Sequence, residues 1–240
     1  MSAAVFAETV RRHVTSIGYV SFAILVALAG LFASSFNTPA SMWPSLVTLL
    51  SIITGAALIG PEFSTGTLQL IVSKPIHRSV YVCSRVAGVM ASVAIVALIG
   101  AASELIARVL RSRVDIPWRS IALVLGFELL IAFLAIAILA FLGSVTRSYF
   151  NVAIYISVQA VLSMAEALLG VFHLRENMIS LFLRRIDAED MLIAFDNIFF
   201  PSLPPQVSVG WPIRIAATAL VFVAAACVAF QRREVPYGAD

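Results

Sequence analysis

Residues 120–143 read Ser120-Ile121-Ala122-Leu123-Val124-Leu125-Gly126-Phe127-Glu128-Leu129-Leu130-Ile131-Ala132-Phe133-Leu134-Ala135-Ile136-Ala137-Ile138-Leu139-Ala140-Phe141-Leu142-Gly143, with Arg119 at their head. A single charge, Glu128, interrupts the run. A helix needs about 20 predominantly apolar residues to cross a hydrocarbon core of ~30 Å. Lipid offers no partner to backbone N–H and C=O groups, so a crossing segment must satisfy them internally, as a helix or within a closed barrel. The run is long and continuous, unlike the alternating ~10-residue strands of a barrel. It reads as a transmembrane helix over 119–143.

The rest of the chain repeats the pattern. Of 240 residues, 61% are hydrophobic and 12% charged, and the mean hydropathy is +1.00. A soluble domain of this size has nowhere to hide so much apolar surface. Further spans are expected at 14–36, 42–60, 86–107, 152–172 and 212–230. The expected fold is an all-α membrane protein with six transmembrane helices in one domain, residues 1–240. A polar segment, 61–85, follows the second span. A long segment, 173–211, precedes the sixth. There Met178, Leu181, Phe182 and Leu183 lead to Arg184-Arg185. The apolar stretch 191–200 is too short to cross, so re-entrant or interfacial helices are expected. Pro201, Pro204 and Pro205 end any helix there. Residues 3–13 place Ala3, Phe6 and Val10 on one face and Glu8, Arg11 and Arg12 on others. They fit either an interfacial helix or a frayed polar start. The apolar run after Arg11-Arg12 is long for the core of a cleaved leader.

Charge excludes some classes and leaves one question open. The net charge of +3 comes from scattered residues, which gives no nucleic-acid-binding stripe. Six spans put both termini on one side. Loop lysines and arginines normally orient such a chain. Here the terminal side carries Arg11, Arg12, Lys74, Arg78, Arg85, Arg147, Arg232 and Arg233. The other carries Arg108, Arg111, Arg113, Arg119, Arg175, Arg184, Arg185 and Arg214. The balance is even and sets no orientation.

Catalytic signatures are missing from the sequence. It has no GxxxxGK[ST] loop, no HExxH pair and no GxSxG elbow. His13, His77 and His173 are scattered, and Cys83 and Cys227 form no CxxC pair. No metal site, disulfide framework or enzyme activity is expected from them.

The most informative polar stretch is Gly60-Pro61-Glu62-Phe63-Ser64-Thr65-Gly66-Thr67-Leu68-Gln69-Leu70-Ile71-Val72-Ser73-Lys74-Pro75-Ile76-His77-Arg78, continuing to Arg85. A short helix here has an apolar face in Leu68, Ile71 and Val72. Its polar groups are Glu62, Thr65, Gln69 and Lys74. Gly66 permits close approach or a left-handed turn, and Pro75 ends the helix. The stretch resembles the cytoplasmic segment between the second and third spans of ABC-2 type permeases. In that pattern an acid precedes Gly-Thr-Leu-Glu, an apolar turn, a Pro and two later basic residues. Glu62, Gly66, Thr67, Leu68, Pro75, Arg78 and Arg85 match it; Gln69 replaces the usual Glu.

The resemblance implies a permease subunit of an ATP-binding-cassette exporter. It implies a pair of permease subunits, alike or different, and two copies of a separate ATPase that binds ATP and Mg. Glu62, Phe63, Thr65, Gly66, Thr67, Leu68, Gln69, Lys74, Pro75 and Arg78 would meet that ATPase. It also implies cytoplasmic termini in the inner membrane, with 108–118 and 173–211 outside. The alternative is a non-transporting assembly or sensor subunit that holds a cytoplasmic partner through the same segment.

Acids inside the spans are the remaining candidates. Glu104, Glu128 and Glu166 lie roughly 5, 12 and 9 Å below the outer ends of their spans at ~1.5 Å per residue. Each costs about 2.5 kcal/mol or more at mid-bilayer unless partnered or wet. Arg108 can pair with Glu104 one helical turn away. With Gln159, the acids define either a polar translocation path or separate interhelical hydrogen bonds. Small-residue pairs Ser51/Gly55 and Gly88/Ser92 permit close helix approach.

Overall fold

A computed structural model describes residues 2–33, 43–59, 77–110, 118–146, 150–171 and 210–232, with the side chains of some helix residues, Gln159 and 162–171 among them, outside the description. Within these residues the chain forms seven helices and no strand. They are α1 (Ala3–Val14), α2 (Ile17–Ala33), α3 (Trp43–Ala56), α4 (Arg78–Leu110), α5 (Trp118–Val145), α6 (Phe150–Val171) and α7 (Gly210–Arg232).

Three stretches are long and apolar enough to cross a membrane: Arg78–Leu110, Ile121–Val145 and Pro212–Arg232. A fourth is added if the pair Ala3–Val14 and Ile17–Phe32, bent by 68°, is one span. Apolar side chains cover the outside of the bundle as well as its core. Ile24, Phe32, Leu123, Leu220 and Val221 are exposed, whereas Thr48, Ser51, Ser92, Glu104, Glu128 and Asn151 are buried. Lipid explains the first set and interhelical hydrogen bonding the second. The chain is a helical protein of membrane type.

The bend has a local cause. Thr15 N–H donates to Arg11 O at 3.0 Å and Ser16 N–H to His13 O at 3.0 Å, which closes α1. Ser16 Oγ then accepts from Tyr19 N–H at 3.3 Å, as an N-cap for α2. The amino-terminal segment is thus a helix rather than a frayed start. Glu8 accepts from Arg11 and Arg12 on its outer face, while Thr9 is buried against α4.

Contacts set the helix directions. Thr9 meets Gly88, Tyr19 Oη donates to Ser92 O at 2.6 Å, and Gly30 faces Gly100; α2 therefore runs in the same direction as α4, while α1, bent by 68° from α2, packs on α4 through Thr9. Trp43 meets Glu104 and Leu58 meets Arg85, so α3 runs against α4. Thr48 meets Glu128 and Gly55 meets Leu139, so α5 runs with α3. Arg78 meets Gln231 and Cys83 meets Cys227, so α7 runs against α4. Ser2, Ala56, Arg78, Asn151 and Arg232 consequently share one end of the bundle, the near end. Trp43 and Glu104 lie toward the other, the far end.

Glycines allow the closest approaches. A Cβ on Gly88 would lie 2.7 Å from Thr9 Cβ. One on Gly100 would lie 2.9 Å from Trp43 Cε3 and from Val26 Cγ1. Of the expected small-residue pairs, Gly88 and Gly55 both face another helix, α1 and α5 respectively. Buried Ser51, Thr54, Ser92 and Ser103 bond back to their own helix, as Ser92 Oγ does to Gly88 O at 3.0 Å.

Boundaries differ from expectation in three places. The polar stretch 78–85 is the start of α4, not loop: Tyr81, Val82 and Ser84 are buried there. At 33 residues α4 is about 50 Å long and exceeds the ~30 Å hydrocarbon core. Expected span 42–60 contains a helix of 14 residues, about 21 Å, enclosed by α2, α4 and α5. Expected span 14–36 begins only after the break at Thr15-Ser16. The segments 60–76 and 172–209 lie outside the described residues.

Candidate functional site

The short helix α3 joins the two regions singled out in the sequence. Its C-terminal carbonyls have no partners within the helix and carry its negative dipole end. Asn151 Nδ2 donates to Ala56 O at 3.0 Å. Arg85 Nη2 donates to Leu58 O at 2.9 Å, and Arg85 Nη1 reaches Thr9 Oγ1 at 3.4 Å. The guanidinium is buried, as an arginine on a helix must be to bridge three chain segments. Ser2 N–H also donates to Ser84 Oγ at 2.8 Å, which ties the amino terminus to the same place. The chain leaves this joint at Ile59 and returns at His77.

Of the residues expected to meet a partner, Glu62, Phe63, Thr65, Gly66, Thr67, Leu68, Gln69, Lys74 and Pro75 lie outside the described residues. Arg78 is described. It opens α4, and its Nη1 donates to Gln231 O at 3.2 Å, which joins the first turn of α4 to the last turn of α7. That contact draws the near-end termini of two helices together.

At the far end α3 carries two donors. Trp43 is fully buried, and its Nε1 donates to Glu104 Oε2 at 2.7 Å. Arg108 Nη2 donates to Glu104 Oε1 at 2.6 Å. One carboxylate thus receives an indole and a guanidinium, the pairing anticipated from the i,i+4 spacing plus a partner the sequence did not disclose. Thr48 Oγ1 donates to Glu128 Oε1 across to α5. Glu104 and Glu128 are both buried and both hydrogen-bonded to α3. Gln159 and Glu166 fall on α6, with side chains outside the description.

Electrostatics outside the spans concern α1. Hydrogen bonds from Arg12 and Arg11 hold the Glu8 carboxyl below the usual range. Burial pushes His13 below its usual value, against the hydrogen bond its ring shares with Thr9 O at 2.8 Å. Among the described residues no group of three or more His, Cys, Asp or Glu could hold a metal.

Sequence reasoning missed one pair. Cys83 and Cys227, read as unrelated, have their sulfurs 3.6 Å apart. A signal was present: each lies five residues inside a terminal arginine, Arg78 or Arg232, of spans that start and finish at the same end.

Neither a comparison with protein-family models nor a search of curated proteins finds a match for this sequence.

Proposed function

We propose that this chain is the membrane-spanning permease subunit of an ATP-binding-cassette exporter. It has six spans, with both termini in the cytoplasm and the chain in the inner membrane. It pairs with a second permease copy and with two ATPase subunits that bind ATP and Mg, and it carries no catalytic group of its own. The observation that carries this reading is the segment 61–85, with its Glu62, Gly66-Thr67-Leu68, Pro75, Arg78 and Arg85 pattern.

The geometry around the segment supports the reading. Leu58, just before the segment, and Arg85, its last residue, are hydrogen-bonded to each other. A push on the segment therefore reaches α3 and α4 together. The α4 helix is long enough to carry displacement from one membrane face to the other. α3 then bears on Glu104 and Glu128 at the far end. The opposed directions of α3 and α4, and of α4 and α7, agree with six alternating spans and with both termini on the near side.

In this reading Glu104, Glu128, Gln159 and Glu166 line the path that opens away from the ATPase. The Glu128→Ala, Glu166→Ala double variant should lose transport yet still assemble with its partner; normal export by it would remove the path.

Affinity purification of the full chain in mild detergent, with co-purifying proteins identified by mass spectrometry, tests the assignment. Wild type should retain an ATP-binding-cassette ATPase, and Glu62→Ala, Thr67→Ala should release it. A wild-type preparation that never holds such an ATPase ends the exporter reading.

A further inference from the structure

The near ends of α4 and α7 pack in a fixed antiparallel register. Arg78 pairs with Gln231, Tyr81 stacks on Phe230 with ring centroids 6.0 Å apart, and Cys83 faces Cys227. The cysteine sulfurs are 3.6 Å apart, and Cys227 Sγ also lies 3.8 Å from Ser79 O. Cys83 is exposed and Cys227 half-buried. A disulfide needs the sulfurs at about 2.05 Å. The remaining gap of about 1.5 Å is of the size that side-chain rotation about Cα–Cβ can close.

We infer that Cys83 and Cys227 form a redox modification site, in which a hydroperoxide converts the two thiols into a disulfide joining α4 to α7. Cys83, the accessible member, attacks the peroxide as its thiolate. An S–O bond forms, the O–O bond breaks, and the alcohol leaves with the thiol proton. The product is a sulfenic acid on Cys83. Cys227 then attacks that sulfur, and water departs with the Cys227 proton. Two thiols and one hydroperoxide yield one disulfide, one alcohol and one water. Both cysteines are about 7.5 Å from their helix ends at ~1.5 Å per residue, within reach of a membrane-soluble oxidant. The bond would lock the first turns of α4 against the last turns of α7. This inference does not depend on the transport reading.

The chain contains two cysteines, so the test is direct. Membranes holding the full chain are treated with cumene hydroperoxide, denatured, and reacted with a maleimide–polyethylene glycol that shifts the band once per free thiol. Wild type should lose both thiols together, run as a monomer on a non-reducing gel, and regain both with dithiothreitol. Cys227→Ser should stop at a Cys83 sulfenic acid that dimedone traps. Cys83→Ser should keep its Cys227 thiol under the same treatment. Persistence of both thiols, loss of one without the other, or a disulfide between two chains would each overturn the assignment.

Discussion

The two ends of α3 are held by opposite chemistry. At the near end, side-chain donors from Arg85 and Asn151 hold backbone carbonyls of residues 56 and 58. At the far end, side-chain donors on α3 itself, Trp43 and Thr48, hold the carboxylates of Glu104 and Glu128 on its neighbours. The near end is a set of helix caps and the far end a set of interhelical ties. Caps fix where a helix stops, because they complete a ladder that has no alternative partner in lipid. Ties between side chains in membranes average only about 0.6 kcal/mol, and reach ~1.7 at most, since separated helices find other partners. The near end should therefore be the rigid joint and the far end the part that rearranges.

The comparison can be broken most severely by packing. Gly100→Leu forces side-chain atoms into Trp43 and Val26. Overpacking of this kind costs about 1–3 kcal/mol, occasionally more. A marked fall in the thermal unfolding midpoint is expected, whereas Gly126→Leu, where a Cβ meets nothing, should change little. Next comes Asn151→Ala. It strips a buried carbonyl of its donor at a cost of about 1–3 kcal/mol. Amide exchange at the C-terminal turn of α3 should quicken in this variant and not in Glu104→Gln. The third effect is smaller. Thr48→Val removes the hydrogen bond to Glu128, and a loss of about 0.6 kcal/mol is expected. If Thr48→Val proves as costly as Asn151→Ala, the distinction between caps and ties fails.

The smallest effect is a pH dependence at α1. His13 is held below its ordinary value near 6.5 by burial. The undocked state therefore takes up a proton before the docked state does. The contribution to docking of α1 is complete above pH ~6.5 and declines as pH falls below it. Protection of the α1 amides against exchange, with the intrinsic pH dependence of exchange divided out, should fall as pH drops below about 6.5, and His13→Gln should flatten that profile.

How much of this was legible in the sequence depended on the kind of signal. Runs such as 119–143 and 212–230 declared themselves, because a lipid-facing helix is apolar all round and needs no phase information. The start of α4 was hidden, since Ser79, Ser84 and Arg85 resemble loop residues until Arg85 is seen bridging Leu58 and Thr9. The α1–α2 break was hidden because Thr15 and Ser16 sit tolerably in any helix. The partner of Glu104 was half visible: Arg108 followed from helical spacing, but Trp43 required the direction of α3. The cysteine pair needed two spans to be placed antiparallel and in register, which hydropathy alone cannot do.

Central to the account is coupling of an ATPase to α3 and α4 through 61–85. The most direct measurement is ATP hydrolysis by the full chain and its co-purifying ATPase in proteoliposomes, compared with the ATPase alone and with Glu62→Ala, Thr67→Ala. The account predicts that the membrane chain raises hydrolysis and that the double variant returns it to the level of the ATPase alone. Equal hydrolysis with wild type, with the variant and with no membrane chain would contradict it.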